Sequence, residues 1–331
     1  MNAILPTSHE HWHELRAQHV GGSEVAALFY LWRLADGQQA FLHMFEVPPA
    51  GAECLGCVSR HTTGYRLYWT KRGVLPPENL DEVERVQAGQ FLEPAIAEWA
   101  RHKWDPWSLR KVHRYLRHPR IAGMGASRDF EEHGPGLPPV EIKNVDYLIF
   151  RDLWKVEGDV ITAPPLDITL QLQAQIACEG RVRAEHGWII ACVGGNRLFR
   201  GQIARHDPTI ARIEQAVAAF WQAVEAETPP LDVADFDTVA ELSLLGAEVR
   251  SAPLDLTTDN ELPILCAEYL RQDASVKEGE AKRSAIKAQI TRRLGDAPET
   301  IRAKASGFNL TWVYANGKNG PYRAALTIRE C

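Results

Sequence analysis

No apolar run in this chain approaches the ~18 residues that a membrane span requires. The longest, Trp188 to Val193, is strand-sized. A basic leader followed by a long apolar stretch is also missing after Met1-Asn2-Ala3-Ile4-Leu5-Pro6, so no secretion signal is visible. Cysteine is sparse: six residues in 331, scattered too thinly for a disulfide framework. These absences predict a cytoplasmic protein with no membrane partner. Internal repeats and low-complexity tracts are absent as well, which leaves an ordinary globular organisation.

An excess of positive charge is lacking too. The formal net charge of −6 argues against a protein that coats nucleic acid nonspecifically. It does not exclude a basic groove on an acidic chain. What is present, 45% hydrophobic and 24% charged residues, is the balance of a globular protein. The length suffices for roughly two domains.

Along the chain, Val20-Gly21-Gly22-Ser23 precedes Glu24 to Phe29, and Ser23 stands where a helix N-cap would. Residues 47–64, rich in Pro, Gly and Thr, read as loop. Asn79 to His102 has a helical pattern, with Val83, Val86, Phe91, Ile96 and Trp99 available for one buried side and Pro94 as an interruption. Ile121 to Phe130 and Val140 to Val145 read as strands around a Gly/Pro loop. A helix over about Leu170 to Cys178 should stop at Gly180. Two strands, Trp188 to Val193 and Leu198 to Ile203, flank a turn at Gly194-Gly195-Asn196, and Pro208 to Glu227 is helical. Residues 231–260 are acidic, without period, and read as a linker. Leu262 to Leu294 is a long charged helix, and Phe308 to Tyr314 with Tyr322 to Ile328 flank a hairpin signal at Asn316 to Gly320. The expectation is an α/β (α+β) domain over 1–230, a linker over 231–260, and an accessory helix plus β-hairpin module over 261–331.

The chemistry concentrates in Ser127-Arg128-Asp129-Phe130 and Val140-Glu141-Ile142-Lys143-Asn144. Side chains alternate along a strand, so Glu141 and Lys143 share a face with Ile142 turned away. Asp129, at the end of the preceding strand, can reach Glu141 if the strands pair. Two carboxylates so placed suit a hard divalent cation. Lys143 beside them can orient water and stabilise charge on a phosphate. A short E-x-K alone is more often a solvated charge pair. Here it stands with Glu93 on an earlier helix and Gln171-Leu172-Gln173-Ala174-Gln175 on a later one.

With these pieces in order, the chain resembles the PD-(D/E)xK nucleases, in particular the lambda-exonuclease-like branch that includes the YqaJ-like viral recombinases. The resemblance covers roughly residues 10–230. It rests on Leu15-Arg16 with Gly21 to Ala27, on Gly89 with Leu92-Glu93-Pro94, on Ala126 to Asp129 with Glu141 to Lys143, on Gln171 to Gln173, and on Ala218 to Trp221. It implies a restriction-endonuclease-like core with a central mixed sheet flanked by helices. It further implies Mg²⁺, with Mn²⁺ as a substitute, held by Asp129, Glu141, the Ile142 carbonyl and Glu93. Lys143 would help activate water, and Gln171 would position Lys143, the water or the phosphate. Arg16 and Ser23 would grip a 5′-phosphate, with Gln173 also on the substrate. The implied activity is exonucleolytic, 5′ to 3′, on linear double-stranded DNA ends in phage-type recombination. The implied partners are a single-strand annealing protein and further copies of the chain in a ring. An endonuclease of the same fold and a non-catalytic DNA-binding scaffold are the rivals. Two features depart from the family pattern: bulky Phe130 follows the aspartate, and Glu157 to Pro165 is long for a connection.

Other features point more weakly. Cys54-Leu55-Gly56-Cys57 has the spacing of half a zinc site, but no second C-x-x-C follows. His9, His11 and His13 read as a polar arm, and Trp104 and Trp107 among basic residues read as core or rim.

Overall fold

The computed structural model describes residues 3–78, 80–178, 182–230, 262–295, 299–317 and 320–330. The chain divides into two compact units, Met1–Glu248 and Val249–Cys331. The stretch expected to form a linker, Gly180, and the hairpin residues Lys318 and Asn319 lie outside the described residues. Among the described residues no helix is long and apolar enough to cross a membrane.

The first unit is built on a mixed sheet of seven strands. In chain order its strands are β5 (Leu109–Lys111), β8 (Phe130–Glu132), β9 (Pro139–Val145), β10 (Lys155–Glu157), β11 (Val160–Ala163), β12 (His186–Val193) and β13 (Arg197–Ala204). Their spatial order is β10-β11-β13-β12-β9-β8-β5. β9 and β12 run parallel from Trp188↔Val140 to Val193↔Val145, at the centre of the sheet. Helix α3 (Glu84–Lys103) covers one face, packing on β9 over Ile96, Ala97, Ala100, Val140 and Ile142. Helix α5 (Leu166–Ala177) covers the other, backed by α6 (Asp207–Glu225) through Ile168, Leu172, Ile176, Ile213 and Val217. Coverage on both faces explains why β9 and β12 read as near-continuous buried runs rather than alternating ones. Each fully buried aliphatic side chain contributes about 1.5–3 kcal/mol over its exposed state.

Around this frame lie β1 (Ala3–Ile4) with β6 (Tyr115–Arg117) and β7 (Gly125–Ser127), and a second small sheet of β2 (Phe29–Arg33), β3 (Gln39–His43) and β4 (Glu53–Cys57). Helices α1 (His9–Ala17), α2 (Gly64–Lys71) and α4 (Tyr147–Leu153) complete the unit.

Several expectations change here. Ser23 does not cap a helix: a short 3₁₀ turn, Val25–Leu28, starts at Glu24 and passes into β2. The loop over 47–64 contains β4, whose Tyr30↔Cys57 and Trp32↔Cys54 pairs tie it to β2. Pro94 sits inside a continuous α3. The buried side of α3 is Ile96, Ala97 and Ala100, whereas Val83, Phe91 and Trp99 are exposed. The strand expected over Ile121 to Phe130 is two strands in two sheets, with Asp129 in the break. His11 and His13, expected on a polar arm, lie on α1.

The second unit contains helix α7 (Leu262–Leu294) and a sheet in the order β14 (Ile301–Ala305), β15 (Phe308–Gly317), β16 (Gly320–Glu330). The hairpin β15–β16 is as the turn signal suggests, and β14 adds a strand that the sequence pattern does not reveal.

Candidate active site

The site forms where β9 loses a neighbour. β8 pairs with β9 at Phe130↔Val140 and Glu131↔Pro139, and one residue before Phe130 the chain turns away to β7. The Ile142 N–H would be left without a ladder partner, and the Asp129 Oδ2 accepts it at 3.0 Å. The N–H and C=O of one strand residue leave the same edge. The Ile142 carbonyl therefore leaves β9 on the side where Asp129 sits.

Alternation along β9 sends Glu141 and Lys143 toward α5. Glu141 is 2% exposed, and its carboxylate is saturated with donors. Oε1 accepts from Lys143 Nζ at 2.6 Å and from Gln171 Nε2 at 2.6 Å, while Oε2 accepts from Gln175 Nε2 at 2.6 Å. Lys143 Nζ also donates to Gln171 Oε1 at 3.1 Å, closing a ring of three side chains. Burial works against the Lys143 ammonium, but Glu141 and Asp129 outweigh it and hold its pKa above the ordinary value. Asp129 is shifted upward, first by burial and then by the neighbouring charges of Glu141 and Glu93.

Glu93 reaches the same place from α3. It lines a cavity of about 310 Å³ together with Arg85, Gln90, Asp129, Glu141 and Lys143. Its Oε1 accepts from Lys111 Nζ at 3.0 Å. Among the described residues no group of three or more His, Cys, Asp or Glu side chains is arranged to hold a metal ion. The donor set is instead two carboxylates and one strand carbonyl, with Glu93 across the cavity. Asp129, whose proton affinity is raised by burial and by Glu141 and Glu93 beside a polar cavity, belongs to a donor set of the kind a hard cation relieves. The residues present thus fit a small divalent cation.

Gln173 does not join this group. Its Nε2 donates to the Ala204 carbonyl at 2.7 Å and its Oε1 accepts from the His206 N–H at 3.0 Å, so it pins β13 to the start of α6. Gln175, to which the sequence pattern assigns no role, takes the place beside Gln171. Helix geometry is the signal that could have found it, since residues four apart share a face and residues two apart do not.

Arg16 and Ser23 are brought together. Arg16 Nη2 donates to Ser23 Oγ at 3.4 Å and lies 3.5 Å from Glu24 Oε1, while its guanidinium sits over the Trp12 ring at 4.8 Å. Lys71, buried beneath them, pairs with Glu24 at 3.1 Å and donates to the Arg16 carbonyl at 2.7 Å. Gly22 connects this corner to the site: a Cβ there would touch the Gln171 carbonyl at 3.5 Å and Gln175 Cγ at 3.6 Å.

Two further features carry no sequence signal. His61, on the loop between β4 and α2, has its pKa lowered first by burial and then by Arg60, with Lys143 and Arg85 adding to the effect. Burial thus favours its neutral imidazole form, within the electrostatic reach of Lys143. Behind Asp129, fully buried Glu131 accepts from Arg128 at 2.8 Å, Arg114 at 2.7 Å and Arg110 at 3.0 Å. Arg128 also donates to the carbonyls of Gln175 at 2.8 Å and Cys178 at 3.2 Å, fastening the β7–β8 junction to α5. Cys54 and Cys57 sit partly buried on β4, and the Cys57 thiol faces the Ala27 carbonyl at 3.6 Å.

The fold and the site together define a mixed α/β protein with a carboxylate–lysine cluster at an interrupted sheet edge. No protein-family model matches the chain, and no curated protein matches it. Among solved structures the chain is similar to an alkaline exonuclease, LHK-Exo, from Laribacter hongkongensis, with a TM-score of 0.46 and 24% identity over 70% of this chain and 99% of that one. The same exonuclease in complex with dAMP has a TM-score of 0.45, at the same identity and coverage.

Proposed function

We propose that the chain is a Mg²⁺-dependent deoxyribonuclease, an exonuclease that shortens linear double-stranded DNA from its 5′ ends. The observation that carries this reading is the convergence of Asp129, Glu141 and Lys143 at the open edge of β9, on one polar cavity. Asp129, Glu141, the Ile142 carbonyl and Glu93 are the groups that would hold the cation, with Mn²⁺ as a substitute. Bound there, the ion supplies a lowered water pKa and neutralises charge on a phosphate oxygen.

The chain's own residues supply the rest. Lys143 keeps its proton at Nζ, because Glu141 and Asp129 outweigh its burial. It therefore offers the phosphate a fixed positive charge rather than a base. Gln171 bonds both Lys143 and Glu141 and so fixes their spacing, and Gln175 fixes the second Glu141 oxygen. Arg16 and Ser23, next to Gly22 on the α5 surface, form the pocket for a terminal 5′-phosphate. The reading extends to phage-type recombination, with a product strand passed to a single-strand annealing protein and a ring of like subunits enclosing the DNA.

The test is digestion of linear duplex with Mg²⁺, comparing 5′-phosphate with 5′-hydroxyl ends and including Lys143→Ala and Arg16→Ala. Progressive loss from phosphorylated ends is expected, abolished by the first substitution and stripped of its end preference by the second. Cutting of closed circles would instead make the chain an endonuclease. Binding without cleavage under Mg²⁺ or Mn²⁺ would make it a scaffold.

A further inference from the structure

The sheet of the second unit is sorted by charge in a way that its strand pairing makes visible. Cross-strand partners lie on the same face. Arg302↔Thr311 and Lys304↔Asn309 join β14 to β15, and Asn309↔Arg329 and Thr311↔Thr327 join β15 to β16. One face therefore presents Arg302, Lys304 and Arg329 among Asn309, Thr311 and Thr327. The intervening rows, Ile301↔Trp312, Ala303↔Leu310 and Leu310↔Ile328, form the other face. The basic face carries three cations on its two outer strands and no carboxylate at any of these paired positions. Glu330 pairs with Phe308 and so belongs to the other side. Arg302, Lys304 and Arg329 are exposed, and no ion pair among the described residues engages them.

The charge of the whole segment points the same way. Residues 249–331 contain thirteen Lys or Arg against ten Asp or Glu, a formal +3. The remaining 24 basic and 33 acidic residues leave 1–248 at −9. The acidic net charge of the chain thus conceals a basic module attached to a strongly acidic one. An enzyme whose larger unit repels polyanions at long range gains from a separate, cationic surface that holds them.

We propose that the Arg302–Lys304–Arg329 face of this sheet binds the phosphate backbone of DNA and tethers the substrate to the chain without reading its sequence. The inference rests on the reading of the chain as a DNA enzyme, but it concerns binding and not cleavage. Spaced cations interleaved with neutral hydroxyl and amide donors are the chemistry of backbone recognition. Each phosphate so neutralised releases condensed counterions, and the salt dependence of binding counts them.

The experiment is fluorescence anisotropy of a labelled short duplex with the full chain, in EDTA so that nothing is cut, across a series of salt concentrations. Three proteins are compared: the wild type, the neutral triple variant Arg302→Gln/Lys304→Gln/Arg329→Gln, and the charge-conserving triple variant Arg302→Lys/Lys304→Arg/Arg329→Lys. The neutral variant is expected to flatten the slope of log Kobs against log salt by about 2–3, near 0.9 for each phosphate that is no longer neutralised. The charge-conserving variant is expected to keep the wild-type slope, which separates charge from damage to the sheet. An unchanged slope in the neutral variant, an equal loss in both variants, or no binding by the wild type would each overturn the proposal. Cleavage under Mg²⁺ by a chain whose slope does not change would sink the tether and leave the nuclease standing. Binding through the sheet without cleavage would do the reverse.

Discussion

Replacing Glu131 with Gln tests whether the structure behind the site is held by charge. The Glu131 side chain is fully buried and accepts from three arginines. Arg110 and Arg114 are 52% and 32% exposed, so solvent screens their share and their release costs little. Arg128 is 3% exposed and has no such recourse. The substituted side chain would keep the shape but meet the Arg128 guanidinium with a neutral amide, leaving a buried cation without its counter-charge. Breaking a buried pair in this way costs about 3–5 kcal/mol. For a unit of this size that lowers the melting temperature by roughly 6–20 °C.

The pH dependence gives a second handle. Burial alone would raise the Glu131 carboxyl, but Arg128 and the hydrogen bonds from Arg110 and Arg114 outweigh it and hold it below its ordinary value. A depressed carboxylate contributes stability that is complete above the unfolded value, about 4.3, and is lost as pH falls through the lower folded value. The gap between wild type and Glu131→Gln should therefore be full near neutrality and close only on strong acidification. Thermal unfolding followed by circular dichroism, at neutral pH and in acid, reads both quantities. A shift under about 2 °C at neutral pH, or a gap that widens in acid, would refute the argument.

Three further outcomes follow from the structure. Gln175→Leu removes a hydrogen bond to an ionised carboxylate, worth about 1.5–3 kcal/mol, so cleavage of linear duplex should fall about ten- to a hundredfold. Gln173→Leu should leave the cleavage rate of the folded protein near wild type, and steady-state rates of the two variants side by side check the assignment. Gly123→Ala should destabilise by at least about 2 kcal/mol in thermal melts, because φ is +73° there and a Cβ would collide with the Trp221 indole.

Much of the site was legible because its chemistry follows strand alternation. Glu141 and Lys143 need only a period of two to share a face. The glutamines show where reading stopped: Gln171, Gln173 and Gln175 alternate in the sequence, but a helix keeps the first with the third and sends the second to the β13–α6 junction. The buried face of α3 departs from the expected one because Phe91 and Trp99, its largest apolar residues, are exposed, as is Val83 just before its first turn, while small Ala97 and Ala100 make the close approach to the sheet. The β2-β3-β4 sheet was hidden by glycines and prolines in 47–64, where composition favours loop and only long-range pairing decides. Nothing local announces that Arg128 and Glu131, three residues apart, turn inward as a pair.

The carboxylate of Asp129 stands in the seat of an absent strand residue, accepting the N–H that a continued β8 would have taken. One side chain thereby serves both the proposed cation site and the edge of the sheet, and this makes chain length between Ser127 and Phe130 a constraint of its own. A residue inserted or deleted there would move Asp129 by one position and send its side chain to the opposite face. The turn over Gly134–Pro138, on the far side of β8, sets no register for Asp129, and its Leu137 carbonyl accepts from Arg128 Nη1 at 3.2 Å. Insertions in this hairpin should therefore be better tolerated ahead of Leu137 than in the junction, even where Asp129, Glu141 and Lys143 are all retained.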